Sequence, residues 1–216
     1  MTLANTVLLP ETVMPLYIFE VRYRRMLADA LAGERMFAIL NAPRGKTKGG
    51  EANEAQFCPI ATVGLIRMSS LNSDGTSTVM LQGAARVRVL GISQEKPYRI
   101  VRIEPLPDET IDLPADWDRT KHDEMLHIIE QILPGSEPTA KDFLQACRTI
   151  SGAEALSSFA MQTLCNDASF RQRFLETTNR KDRVQQTIRS LNETLAEVRI
   201  RREIEGHLPS SDDYGN

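Results

Sequence analysis

Hydrophobic and polar positions change their spacing near residue 110. Before it, short apolar runs rich in Val, Ile and Leu alternate with turn residues, the pattern of strands on a half-buried sheet. The runs predict strands over 6–9, 36–42, 62–69, 77–82, 85–92 and 98–106. Asn72-Ser73-Asp74-Gly75 separates two of them and predicts a hairpin, with its strands antiparallel. Gly83 and Gly91 are candidate bends in a curled sheet or small barrel. One helix interrupts this half over 20–31, where Tyr23, Leu27 and Leu31 recur every four residues and Gly33 supplies a stop.

From about residue 116 apolar residues recur at helical spacing: Met125, Ile129 and Ile132; Phe143, Cys147 and Ile150; Leu156, Phe159, Ala160 and Leu164. Polar starts at Thr120, Thr139, Ser151 and Asn179, each with an acidic residue three positions on, predict four to five helices. The last helix carries Val184, Ile188, Leu191, Leu195 and Val198, which suits a bundle core or a seam with a second copy. The stretch 105–114 (PLPDETIDLP) reads as a linker, 45–54 as a mobile loop and 206–216 as a disordered tail. The expected organisation is a β-rich subdomain over 1–110 and a helical bundle over 115–205.

Composition adds exclusions. With 216 residues, 41% hydrophobic and 25% charged, the chain has ordinary globular usage, and no apolar run approaches the ~20 residues of a membrane span. The opening residues lack a basic start and an uninterrupted apolar core, so a cytoplasmic location is expected. Net charge is −3; residues 1–110 hold 13 Lys and Arg against 11 Asp and Glu, and the remainder 13 against 18. No global field draws the chain to nucleic acid. Cys58, Cys147 and Cys165 form no Cys-x-x-Cys pair and read as reduced, semi-buried thiols.

Candidate chemistry is sparse. Gly45-Lys46-Thr47 resembles the end of a phosphate loop, but Leu40 stands where that motif requires glycine. His122 and His127 lack zincin spacing and read as packed or solvent-facing side chains. No Gly-x-Ser-x-Gly elbow is present. No metal, cofactor or catalytic residue is predicted. Arg86, Arg88 and Arg102 form either a phosphate-gripping stripe or the solvated face of a strand.

Residues 7–27 (VLLPETVMPLYIFEVRYRRML) resemble the signature of the Lon protease N-terminal domain family. Thr62-Val63-Gly64, Asp74-Gly75-Thr76, Gln82-Gly83, Arg86-Val87-Arg88-Val89 and 98–106 (YRIVRIEPL) continue it. Glu11 stands where the family usually has glycine and Val21 where it usually has proline. The resemblance implies an α+β fold: a PUA-like β-barrel of about six strands with one inserted helix, followed by a C-terminal helical bundle. It implies a non-enzymatic module that binds unfolded or extended polypeptide, an adaptor in protein quality control. A protease or chaperone is the implied further partner, with homo-oligomers through the last helix and no membrane. Proteolysis and ATP use are not implied, since neither module is in this sequence. Tyr17, Phe19, Phe57 and Met68 are the candidate groove residues. RNA binding through Arg86, Arg88 and Arg102 is the alternative.

Overall fold

The computed structural model describes residues 1–42, 57–133 and 138–206. The expected loop over 45–54 and the tail beyond 206 lie outside the described residues. The elements are β1 (Thr2–Ala4), β2 (Val13–Ile18), α1 (Val21–Ala32), β3 (Met36–Ala42), β4 (Ile60–Leu71), β5 (Ser77–Gln94) and β6 (Ile100–Pro105), then α2 (Trp117–Ile132), α3 (Pro138–Thr149), α4 (Ala153–Leu164), α5 (Ala168–Glu176) and α6 (Arg180–Gly206). The fold is α+β: among the described residues, a mixed six-stranded sheet with six helices.

Two compact units divide the chain: residues 1–112 with 158–183, and residues 113–157 with 184–216. The expected boundary near 110 therefore corrects in one respect. The end of α4 and all of α5 belong with the sheet, because Met161, Phe174 and Leu175 pack with Val7, Leu9 and Ile60.

In the first unit the sheet runs β1-β3-β4-β5-β2, with β6 on β5. Among the described strands only β1 and β3 pair in parallel. The ends of this path, β1 and β2, do not pair with each other among the described residues, so the expected barrel is not closed. Asn72 to Thr76 form the predicted hairpin, with Gly75 at φ 79° and its N–H donating to Asn72 O at 3.0 Å.

The two predicted strands 77–82 and 85–92 are one strand, β5. It pairs with β2 through Gln82 and with β6 from Val87, and is bulged where Gly64 faces Gly83 and Val63 faces Ala85. A Cβ on Gly83 would strike the backbone oxygen of Leu9. Glycine is required there for close approach.

The expected strand over 6–9 is instead a buried segment outside the ladder. Side chains take the place of a partner strand: Leu9 N–H donates to Gln162 Oε1 at 2.9 Å, Gln162 Nε2 donates to Val7 O at 3.2 Å, and Thr62 Oγ1 donates to Leu8 O at 2.6 Å. The main core packs Leu8, Met14, Ile18, Met26, Leu27, Phe37, Ile66, Val79 and Leu81 between α1 and the sheet.

In the second unit Met125, Ile129, Cys147, Leu156 and Val184 are fully buried. Leu191 and Leu195 are also buried, which uses the predicted seam as core, whereas Ile200 and Ile204 are exposed. Arg202 donates to Ile132 O at 3.1 Å, closing the C-terminal end of α2.

The caps only partly match expectation. Asn179 accepts from Asp182 N–H at 3.2 Å, as predicted. Thr120 and Thr139 fall inside their helices, and Ala153 N–H donates to Asp118 Oδ1 at 3.2 Å, so Asp118 does the work expected of Ser151. Asp167 caps α5 through Ser169 N–H at 2.8 Å, a start the sequence reading missed.

Candidate functional site

Strand β2 is apolar on both faces. Met14, Leu16 and Ile18 enter the core or pack on it, while Val13, Pro15 and Tyr17 alternate to the outside. Val13 is 47% exposed and Tyr17 54%. Register extends this outer face across the sheet. Val13 faces Gln82, Gln82 faces Leu65, and Leu65 faces Met36, forming one row over four strands. The next row is Pro15, Met80 and Met68. Met36 and Met68 are exposed, and Phe19 beyond the end of β2 is 60% exposed.

Three of the four candidate groove residues therefore lie on one face, whose apolar side chains are interrupted by Gln82, Thr78 and Ser70. The Tyr17 and Phe19 rings stack at 6.0 Å between centroids, and Met68 lies in the row beside Tyr17. Phe57 does not join them. It packs with Leu40, Ala61 and Val87, and the Arg99 guanidinium lies 5.4 Å from its ring. Sequence reasoning missed Val13, Met36, Leu65 and Met80. The only available signal was that 13–17 is apolar at odd and even positions alike, which reads equally well as a strand buried on both faces.

Among the described residues β2 pairs with β5 alone, so its other edge is open. Pro15 lacks an N–H and interrupts the backbone donors there. At the Met36 end, a cavity of about 470 Å³ is lined by Met36, Ala38, Val63, Ile100 and Ile103, with Asp29 and Tyr98 at its rim. Tyr98 Oη donates to Asp29 Oδ2 at 2.7 Å, and this bond holds the phenol above its ordinary pKa. The face is thus rich in Met and bordered by an edge of β2 that pairs with no strand among the described residues.

The arginines do not form a stripe. The bulge at 83–85 shifts the alternation of β5 by one residue, so that Arg86 pairs in register with buried Thr62. Arg86 is only 7% exposed and donates to Asp108 Oδ1 at 2.5 Å. Arg183 completes the cluster, donating to both Asp108 oxygens at 2.8 Å. Arg88 is exposed beside Glu104 at 3.3 Å, and Arg102 is exposed opposite Gly91.

Burial raises the Cys147 thiol to about 11, and burial together with the charge of Glu176 raises Cys58, the opposite of an activated thiolate. His122 Nε2 lies 3.0 Å from Ile150 O, a packed structural contact. Among the described residues no group of three or more His, Cys, Asp or Glu is placed to hold a metal. No helix among them is long and apolar enough to cross a membrane.

Comparison with known proteins places this sheet and its helices in one class of domain. The family model described as the ATP-dependent protease La (LON) substrate-binding domain matches residues 1–193. The chain belongs to that family. Lon protease of Desulfosudis oleivorans is 22% identical over 214 residues, covering 96% of this chain and 25% of that protein. Lon protease 2 of Syntrophobacter fumaroxidans is 33% identical over 107 residues, covering 50% of this chain and 13% of that protein. This chain thus spans about a quarter of the length of the curated relatives it matches most fully. Two solved structures share the fold. The N-terminal domain of Mycobacterium avium complex Lon protease aligns at a TM-score of 0.61 with 15% identity, over 91% of this chain and 96% of that one. A Lon N-terminal domain protein from Xanthomonas campestris aligns at 0.59 with 19% identity, over 86% and 94%.

Proposed function

We propose that this chain is a polypeptide-recognition module that engages extended or unfolded segments on the outer face of its sheet and acts as a non-enzymatic adaptor in the cytosol. The observation that carries this reading is the exposed Met36, Met68 and Tyr17 face, with Phe19 alongside, bordered by the open edge of β2. An extended segment can add backbone hydrogen bonds along that edge while its alternate side chains lie on the methionines and aromatic rings. Methionine suits varied partners because its unbranched thioether repacks at little cost. Membership of a substrate-binding family supports the same reading. Passing the bound segment to a protease is the role that membership suggests.

RNA binding is the weaker reading, because Arg86 is committed to Asp108 inside the fold and Arg88 lies beside Glu104. The test is to titrate the protein with a permanently unfolded, reduced and alkylated polypeptide, with the same polypeptide in its native form, and with single-stranded RNA, each at low and high salt. The expected result is binding of the unfolded form alone, changing little with salt. Binding of RNA that falls steeply with salt would reverse the assignment.

A further inference from the structure

A second cavity, of about 540 Å³, lies where α1 meets the β4–β5 hairpin. Leu27, Leu31 and Leu71 supply its apolar surface, and Arg24 and Arg35 its charge, with no carboxylate among its lining residues. Among the described residues neither arginine makes an ion pair.

Both arginines are positioned by backbone. The Arg24 guanidinium lies against Gly75 in the hairpin turn, where a Cβ would collide with it. Asp74 beside it is already engaged: its Oδ1 accepts from the Thr76 hydroxyl at 2.6 Å and from the Thr76 N–H at 2.9 Å. Those bonds, more than the charge of Arg24, hold the Asp74 carboxyl below its usual range. Arg35 adopts φ 58°, uncommon for a residue with a Cβ, and is fixed on both sides. Its N–H donates to Ala30 O at 2.9 Å and its carbonyl accepts from Ile66 N–H at 2.8 Å.

We infer that this cavity receives the C-terminal residue of a bound polypeptide, its apolar side chain on Leu27, Leu31 and Leu71 and its α-carboxylate on Arg24 and Arg35. Asp74 spends its Oδ1 on Thr76 and makes no ion pair with Arg24 among the described residues, so the two guanidinium groups can accept a further negative charge, and the leucines beside them call for an apolar group close to it. A chain end such as a terminal leucine carries both on one Cα, whereas an internal Asp or Glu carries its charge without an apolar partner on the same residue. The inference rests on the polypeptide-recognition reading and narrows it to segments near a free C-terminus.

The experiment is fluorescence anisotropy with an N-terminally labelled, unstructured peptide ending in leucine. Comparison peptides are its C-terminal amide, the free acid ending in serine, and an amide ending in glutamate. The full chain is used, with Arg24→Gln and Arg35→Gln each checked for unchanged thermal melting. The free acid ending in leucine is expected to bind about tenfold tighter than its amide. Each arginine variant is expected to reduce that ratio towards unity while leaving affinity for the amide unchanged. Equal binding of acid and amide overturns the C-terminal site and leaves the recognition reading standing. Equal binding of the glutamate amide and the leucine acid also overturns it, in favour of a general anion site. Failure of every peptide to bind overturns both.

Discussion

The two faces of the central sheet carry similar residues in opposite circumstances. On the inner face Val79 and Leu81 are fully buried against Ile18, Leu27 and Phe37, and the polar residue beyond the bulge, Arg86, is closed into a cluster with Asp108 and Arg183. On the outer face Met36, Met68 and Tyr17 are as apolar but remain exposed. Folding accounts for the first set, because removing it from water is what stabilises the unit. It does not account for the second, and a cluster of exposed apolar side chains on a folded protein marks a candidate binding surface.

That contrast yields graded expectations for stability, readable by urea denaturation. The largest effect belongs to Asp108→Ala, which leaves the Arg86 and Arg183 guanidinium groups facing each other without their shared carboxylate. A loss of about 4 kcal/mol is expected. Leu81→Ala on the inner face opens a cavity and costs about 3 kcal/mol. Gly83→Ala, which forces a Cβ into the Leu9 carbonyl, costs about 2 kcal/mol and disturbs the point where β5 changes partners. Met80→Ser, one residue from Leu81 but on the outer face, costs less than about 1 kcal/mol. If Met80→Ser destabilised the protein as much as Leu81→Ala, the outer face would be core and the contrast would fail.

The sequence was most readable where one local rule decided the outcome. The 20–31 helix, the 72–75 hairpin and the 36–42 strand appear close to expectation. The residues that misled are those whose partners are distant. Val7 and Leu9 look like strand residues, but the side chain of Gln162, more than 150 positions away, satisfies their backbone. Arg86 reads as part of an exposed stripe with Arg88 and Arg102, but it pairs in register with buried Thr62, and its counter-ion Asp108 sits in a segment that reads as linker. Tyr17, Phe19 and Met68 are named as groove candidates on the family resemblance, but Met36 and Met80 join them only through register, which no local pattern encodes.

The most direct test of the outer face is to titrate the unfolded polypeptide against the wild-type protein and the Tyr17→Ser/Met68→Ser double variant, with melting followed for both. Both side chains are more than half exposed, so melting is expected to be unchanged, while affinity falls about tenfold or more. Full affinity in a double variant that melts like the wild type would contradict the account and remove the outer sheet face as the recognition surface.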